Sequence, residues 1–434
     1  MTTHLRNRWL WLGLALILGL LVVWLATSRY TPVWAARNTL YYHLHQGWRQ
    51  LARQPSPADS GTLQGTITSA QGAPIDGAWV LVSEWDGTTH TARTDADGRY
   101  TIEAIPPGRY KPVATAPGYQ NTLIGGFLGR LNIRANATAI ANATLSVEPN
   151  RTVTPATDFF LAEPTSLSCT TPFDVEAVQR QIHFKSDDRP NQIAFYYTPV
   201  TASPNDSLPL LLAIYPGPPD GWVCASLSLA QAGYAVLAAG PAYSFDLESD
   251  LDELERLLDL ARQGSFPGSD PGRIAILGGS YSSLHVQRLL QRGQPVQAAL
   301  LLGPPTDLFD MRRRLEDGSF VPPFGLDQAF RAMGLPSQDP LLYLKYSGAY
   351  HVRADFPPLA ILHSRGDDIV PYQQSELLAA HLDLVGAEYE LHFFDKGGHY
   401  LLAEQADADT QAIYDVTLEF LAKHLTQGEV RSKE

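Results

Sequence analysis

Hydrophobic patterning divides the chain into three regions. The run WLWLGLALILGLLVVWLAT, residues 9–27, holds no charge over 19 positions, which as a helix is long enough to cross a hydrocarbon core. Over residues 31–54, apolar side chains at Leu40, Tyr41, Leu44, Trp48 and Leu51 recur at helical spacing. This second helix is read either as lying on a membrane surface or as a plain stalk. QPSPADSG, residues 54–61, then reads as a linker.

From Thr62 the period falls to two. Short alternating runs are broken by Asp86-Gly87, Asp97-Gly98 and Pro106-Pro107-Gly108, so a small antiparallel β-sandwich is expected. NATAIANATLSVEP adds its last strand, and residues 151–171, rich in Thr and Pro, read as a connector. DADG suggests a calcium loop, but no Glu stands at the bidentate position and a turn fits better.

The third region alternates strands with helices. QIHFKS and QIAFYYTP read as an opening strand pair, and LPLLLAIYP, YAVLAAGP, RIAILGGS, QAALLLGP, PLAILHSRG and EYELHFFD are continuous apolar runs. Such runs suit strands buried on both faces. DLDELERLLDLARQ and QQSELLAAHLDLVG are helical. The prediction is a doubly wound, mostly parallel α/β sheet with ligands at the carboxyl ends of its strands. The expected organisation is an anchor and stalk over 1–60, a sandwich over 61–150, a linker over 151–171 and a catalytic domain over 172–427.

A formal net charge of −13 excludes a nucleic-acid partner, because phosphate binding needs clustered Lys and Arg. The apolar N-terminal run is expected to be an uncleaved anchor with its N-terminus inside and the bulk of the chain outside. The rival is a signal peptide cut near VWA, residues 33–35, and both readings export the remainder. Outside the cytoplasm, Cys169 and Cys224 are either a disulfide or two free thiols. The sequons at Asn136, Asn142, Asn150 and Asn205 matter only in a glycosylating host.

ILGGSYSS places Ser280 between an apolar strand and a helical run, in the setting of a nucleophile elbow, with Ser282 where Gly is usual. Asp367 follows a later strand in HSRGDDIVPYQQS, and His399 follows the last strand in FFDKGGHYLL. Serine needs a base to take its proton, and that imidazole needs a carboxylate to fix its tautomer. Asp368 is the rival acid, while His285, His363, His381 and His392 read as structural.

Two families resemble these regions. GTITSAQGAPIDGAWVLV and TDADGRYTIEAIPPGRYKPVATAPGY resemble the carboxypeptidase regulatory-like domain, an accessory or binding β-sandwich. GGSYSS, HSRGDDIVPYQQS and GGHY resemble the catalytic domain of the prolyl oligopeptidase and dipeptidyl-peptidase group of α/β-hydrolases. That resemblance selects Asp367 over Asp368. It also implies that Tyr215, in YPGP, gives its phenol O–H to the oxyanion beside the Tyr281 N–H. The sequence departs from the group's pattern at Ser282 and Ser364 and has no propeller repeat, so peptidase specificity does not carry over.

The resulting expectation is an anchored, extracytoplasmic serine hydrolase with no metal or cofactor, acting on a small ester or peptide. The segment 304–356 would cover its site, with Arg312, Arg313 and Arg314 either drawing an anionic substrate or forming a solvated face. The alternative is a catalytically impaired surface protein that binds carbohydrate or cell-wall material through the sandwich.

Overall fold

The computed structural model describes residues 16–28, 30–51, 59–125, 129–149, 152–170, 172–185, 194–240, 247–323, 325–399 and 409–425. In the sandwich, strand Gly61–Ser69 runs antiparallel to Arg99–Ile105 and parallel to Thr138–Ile140 and Ala143–Leu145. The facing sheet orders Thr89–Arg93, Trp79–Ser83, Val113–Thr115 and Thr122–Leu123. Leu63, Ile67, Val80, Val82, Ile102, Ile105 and Leu145 fill the space between. In WVLVS the alternate residues Trp79 and Leu81 point the other way, into a second apolar cluster. That strand is covered on both faces, which accounts for its unbroken apolar run. Asp95–Gly98 is a turn, with the Gly98 N–H donating to Asp95 O at 2.8 Å.

The C-terminal domain is built on a ten-stranded sheet. Its strands are β1 (Thr157–Leu161), β2 (Thr165–Cys169), β3 (Val175–Lys185), β4 (Ala194–Thr198), β5 (Leu208–Ile214), β6 (Ala235–Ala239), β7 (Ser269–Gly279), β8 (Ala298–Leu302), β9 (Leu359–Ser364) and β10 (Tyr389–Phe394). The order is β1-β3-β4-β6-β5-β7-β8-β9-β10, with β2 also on β3. Pairing is antiparallel from β1 to the β4–β6 contact and parallel from there to β10. This is the α/β-hydrolase arrangement expected from the sequence.

Among the described residues eight α-helices accompany it: α1 (Val223–Gln231), α2 (Leu247–Arg262), α3 (Ser282–Gln291), α4 (Leu308–Asp317), α5 (Leu326–Met333), α6 (Pro340–Lys345), α7 (Gln373–Val385) and α8 (Thr410–Leu425). Alternation along β5 divides the core. Leu210, Leu212 and Ile214 pack under α2, α3 and α7, whereas Leu211, Ala213 and Tyr215 pack under α1 and α8.

The stretch read as a linker, residues 151–171, instead supplies β1 and β2. Phe159 and Leu161 pack on one core cluster and Leu167 and Cys169 on the other. A two-residue period was present there, but the neighbouring Thr and Pro obscured it. Cys169 and Cys224 form a disulfide that ties β2 to α1, with Cα atoms 5.6 Å apart.

Between β8 and β9 the helices α4, α5 and α6 form a cap that packs against Ile369 and Val370 of the loop after β9. The sandwich docks on this cap, so Leu81 and Val113 share a core with Phe309, Met311, Phe330, Tyr343, Ile369 and Val370. Trp79 stacks on His381 at 4.8 Å between ring centroids and meets Tyr350 edge-on at 5.5 Å. Ser83 Oγ donates to Pro336 O at 3.2 Å.

The N-terminal region contributes helix Leu16–Thr27 and helix Thr31–Leu51, bent by 84° at the break between them. No single described helix is long and apolar enough to cross a membrane, although the bent pair together passes on length and composition. The first part of the run 9–27 lies outside the described residues.

Candidate active site

Ser280 stands where β7 turns sharply into α3. Its φ is +52°, a left-handed conformation that costs a side chain energy and is held only by its surroundings. The Ser280 N–H donates to Leu302 O at 2.7 Å, pinning the elbow to β8. Gly278 permits the turn: a Cβ there would meet Ser282 O and Val286 Cγ2, each at 2.7 Å. Ser282 opens α3 with an ordinary helical backbone, since it is absent from the positive-φ residues. Its side chain therefore meets no backbone obstacle. It is fully buried, however, and its hydroxyl has no hydrogen-bond partner among the described residues.

The structure brings Ser280, His399 and Asp367 together although they lie far apart in the chain. His399 Nε2 is 2.8 Å from Ser280 Oγ, and His399 Nδ1 is 2.7 Å from Asp367 Oδ2. An ionised carboxylate only accepts, so Nδ1 carries the proton and Nε2 is left to receive one from the serine. Asp367 is anchored in turn, its Oδ1 accepting from the N–H groups of Ile369 and Val370, each at 2.8 Å.

His363, read from sequence as structural, also contacts this carboxylate. Its Nε2 faces Val370 O at 3.0 Å and Asp367 Oδ2 at 3.2 Å, while Nδ1 lies 2.7 Å from Ser375 Oγ. Two acceptors around Nε2 require that nitrogen to hold the proton. Burial alone would raise the Asp367 carboxyl, but hydrogen bonds from His363 and His399 outweigh it and hold the group well below the usual carboxylate range. The HSRGD spacing, four residues from His363 to Asp367, was the available signal.

Tyr215 is placed elsewhere. Its ring is buried, stacked on Trp222 at 5.2 Å between centroids, and its hydroxyl lies 2.9 Å from Ser226 Oγ. Ser226 Oγ itself donates to Trp222 O at 3.2 Å, so Tyr215 is the donor to Ser226. Its O–H is thereby committed to the core under α1, which corrects the expected oxyanion role. The reason is alternation: Tyr215 continues the β5 face of Leu211 and Ala213. Tyr281 stands at the head of α3 with φ −51° and ψ −38°, its ring edge-on to His285 at 5.2 Å.

The arginine triplet also proves structural. Arg312 is buried, donating to Phe330 O at 2.8 Å and pairing with Glu316 at 2.8 Å. Arg313 and Arg314 both pair with Asp310, which accounts for their charge. Among the described residues no cluster of His, Cys, Asp or Glu is arranged to hold a metal ion.

Two parts of the chain are similar to known families. Residues 62–146 match the carboxypeptidase regulatory-like domain, and residues 256–428 match the prolyl oligopeptidase family. Over 254 residues the chain is 26% identical to a protein of Metarhizium robertsii described as a probable dipeptidyl-aminopeptidase B. The alignment takes in 52% of this chain and 26% of that protein, so the chain spans about a quarter of its relative's length. Esterase 2 of Thermogutta terrifontis, phosphonylated by sarin, superposes with a TM-score of 0.45 at 19% identity, over 56% of this chain and 95% of that one. The native form of the same esterase gives 0.44 at 19% identity, over 56% and 93%.

Proposed function

We propose, from the premise that the C-terminal α/β domain is a serine hydrolase of the prolyl oligopeptidase and esterase type, that Ser280, His399 and Asp367 are its catalytic triad. The observation that carries this reading is the unbroken relay from Ser280 Oγ through His399 to Asp367, at 2.8 and 2.7 Å, on an elbow strained at φ +52°. In the reaction Ser280 Oγ attacks the carbonyl carbon of an ester or amide while His399 Nε2 takes its proton. His399 then returns that proton to the leaving alcohol or amine, giving an acyl-enzyme. Water, deprotonated by the same nitrogen, releases the acid and restores Ser280.

The tetrahedral oxyanion needs two donors. One is the Tyr281 N–H, next to the nucleophile. The other is the Gly217 N–H, the only backbone donor in the run of residues 216–219. Ile214, the last residue of β5, lies opposite Gly278 of β7, so the loop that carries Gly217 leaves the strand next to the one that ends in the elbow. Tyr215, its phenol bound to Ser226, supports the fold beneath the loop.

The enzyme is anchored by the apolar N-terminal segment, with the catalytic domain on the extracytoplasmic face. A disulfide between Cys169 and Cys224 supports that placement, since such bonds persist in oxidising compartments. The substrate is a small ester or peptide, because the sandwich is docked on the cap beside Ile369 and Val370, close to the acid.

The test is labelling of the full chain with a fluorophosphonate beside its Ser280→Ala variant. Labelling lost in the variant supports the assignment, and comparison of short acyl esters with aminoacyl amides then sorts the substrate. A folded wild-type chain that does not label would overturn it and favour a surface protein acting through the sandwich.

A further inference from the structure

Helix Thr31–Leu51 presents its faces the wrong way round for an aqueous surface. The side turned to the protein is polar. Asn38 Nδ2 donates to Ala332 O at 2.8 Å, while Tyr42 and Gln46 reach Glu316 at 3.3 and 3.0 Å. The Arg49 guanidinium lies 3.8 Å above the Trp85 ring. The outward side is mostly apolar: Leu40 is 61% exposed, Leu44 64%, Trp48 69% and Leu51 85%, with Tyr41 and one polar residue, His43, alongside. None of the exposed positions along the described helix is Lys, Arg, Asp or Glu. A surface helix in water shows the opposite arrangement, its apolar stripe inward.

The preceding helix Leu16–Thr27 is apolar and exposed all along its described length. It meets Thr31–Leu51 at 84°. The bend is built in, because Arg37 Nη1 donates to the carbonyls of Leu25, Ala26 and Ser28 at 3.1, 2.8 and 3.1 Å. A bilayer normal and a bilayer surface are also perpendicular. A bilayer covers both apolar helices at once and accounts for the angle between them. Trp and Tyr on the outer face suit the headgroup level.

We infer that helix Thr31–Leu51 lies in the headgroup layer of a lipid bilayer, its outer face of Leu40, Leu44, Trp48 and Leu51 in lipid, and so fixes the cap of the catalytic domain against the membrane. The inference rests on the anchor reading above and adds a second point of attachment. Two attachments at right angles leave the domain one orientation, whereas an anchor alone would let it swivel.

Nitroxide labels at Leu20→Cys, Leu44→Cys and Asn205→Cys, placed one at a time in the full chain in phosphatidylcholine vesicles, test it. All three positions are exposed, so the substitutions spare the packing. At Leu44 oxygen should collide several-fold more often, relative to a water-soluble nickel chelate, than at Asn205, with a depth of about 5–10 Å. Leu20 in lipid with Leu44 in water would overturn the interfacial helix and leave the anchor standing. Leu20 in water would overturn both. Dipolar broadening between Leu44 labels that persists at high lipid dilution would replace lipid by a second chain.

Discussion

His363 Nε2 lies 3.2 Å from Asp367 Oδ2, so the carboxylate facing His399 is held by two imidazoles. The second histidine touches neither Ser280 nor any reacting atom and acts by positioning. His363→Phe should lower kcat/KM about tenfold, equivalent to about 1.4 kcal/mol, mainly through kcat. The pH response separates this from mere damage. A carboxyl with a lowered folded pKa adds stability that is complete above about pH 4 and disappears as pH falls through the folded value. Removing His363 raises that value, so the variant should lose less stability on acidification through this group. A titration of stability against pH, with kcat and KM measured separately, checks both.

Tyr215→Phe distinguishes a core tyrosine from an oxyanion donor. Losing a true donor costs about 10²–10³ in kcat. With the phenol bound to Ser226 at 2.9 Å, the expected loss in kcat is under about threefold, and stability should fall by about 1 kcal/mol. Steady-state kinetics beside urea denaturation decides.

Ser282→Ala removes a buried hydroxyl that has no hydrogen-bond partner among the described residues. Stability should rise by about 1 kcal/mol, with fluorophosphonate labelling rates within a few-fold of wild type. Gly278→Ala should abolish labelling, because its Cβ would sit 2.7 Å from Ser282 O and Val286 Cγ2. The pair shows which small residue the elbow requires.

Trp79→Ala removes the aromatic contact between sandwich and cap, stacked on His381 at 4.8 Å. The tryptophan is half-buried, so the loss should be about 2–3 kcal/mol, below that for a fully buried one. Calorimetry should give one unfolding transition for the wild-type catalytic and sandwich domains together and two for the variant.

Features encoded locally were legible in the sequence. Each parallel strand from β5 to β10 was a continuous apolar run, and Ser280, Asp367 and His399 each followed one of them, in the chain order that the proposed relay needs. Features set by three-dimensional packing were not. Alternation along β5 sends Tyr215 to the face of Leu211 and Ala213, but that its hydroxyl would be taken up by Ser226 and its ring by Trp222, across a turn, was not readable. The burial of Arg312 depends on Phe330 and Glu316, and on a Tyr42 ring 5.0 Å away from another part of the chain. β1 and β2 had the right alternation, but among Thr and Pro it resembled a connector.

The core shared by Leu81, Val113 and Phe309 bears on how such a protein could have been assembled. A module that travels between genes must close its own surface before it arrives. This sandwich leaves one face of the strand Trp79–Ser83 for a neighbour to cover, and the cap leaves a matching patch. Transplanting either piece would therefore expose a sticky surface in its new host. Insertions and fusions should be tolerated at the remote edges of both domains, and the seam between them should be inherited whole.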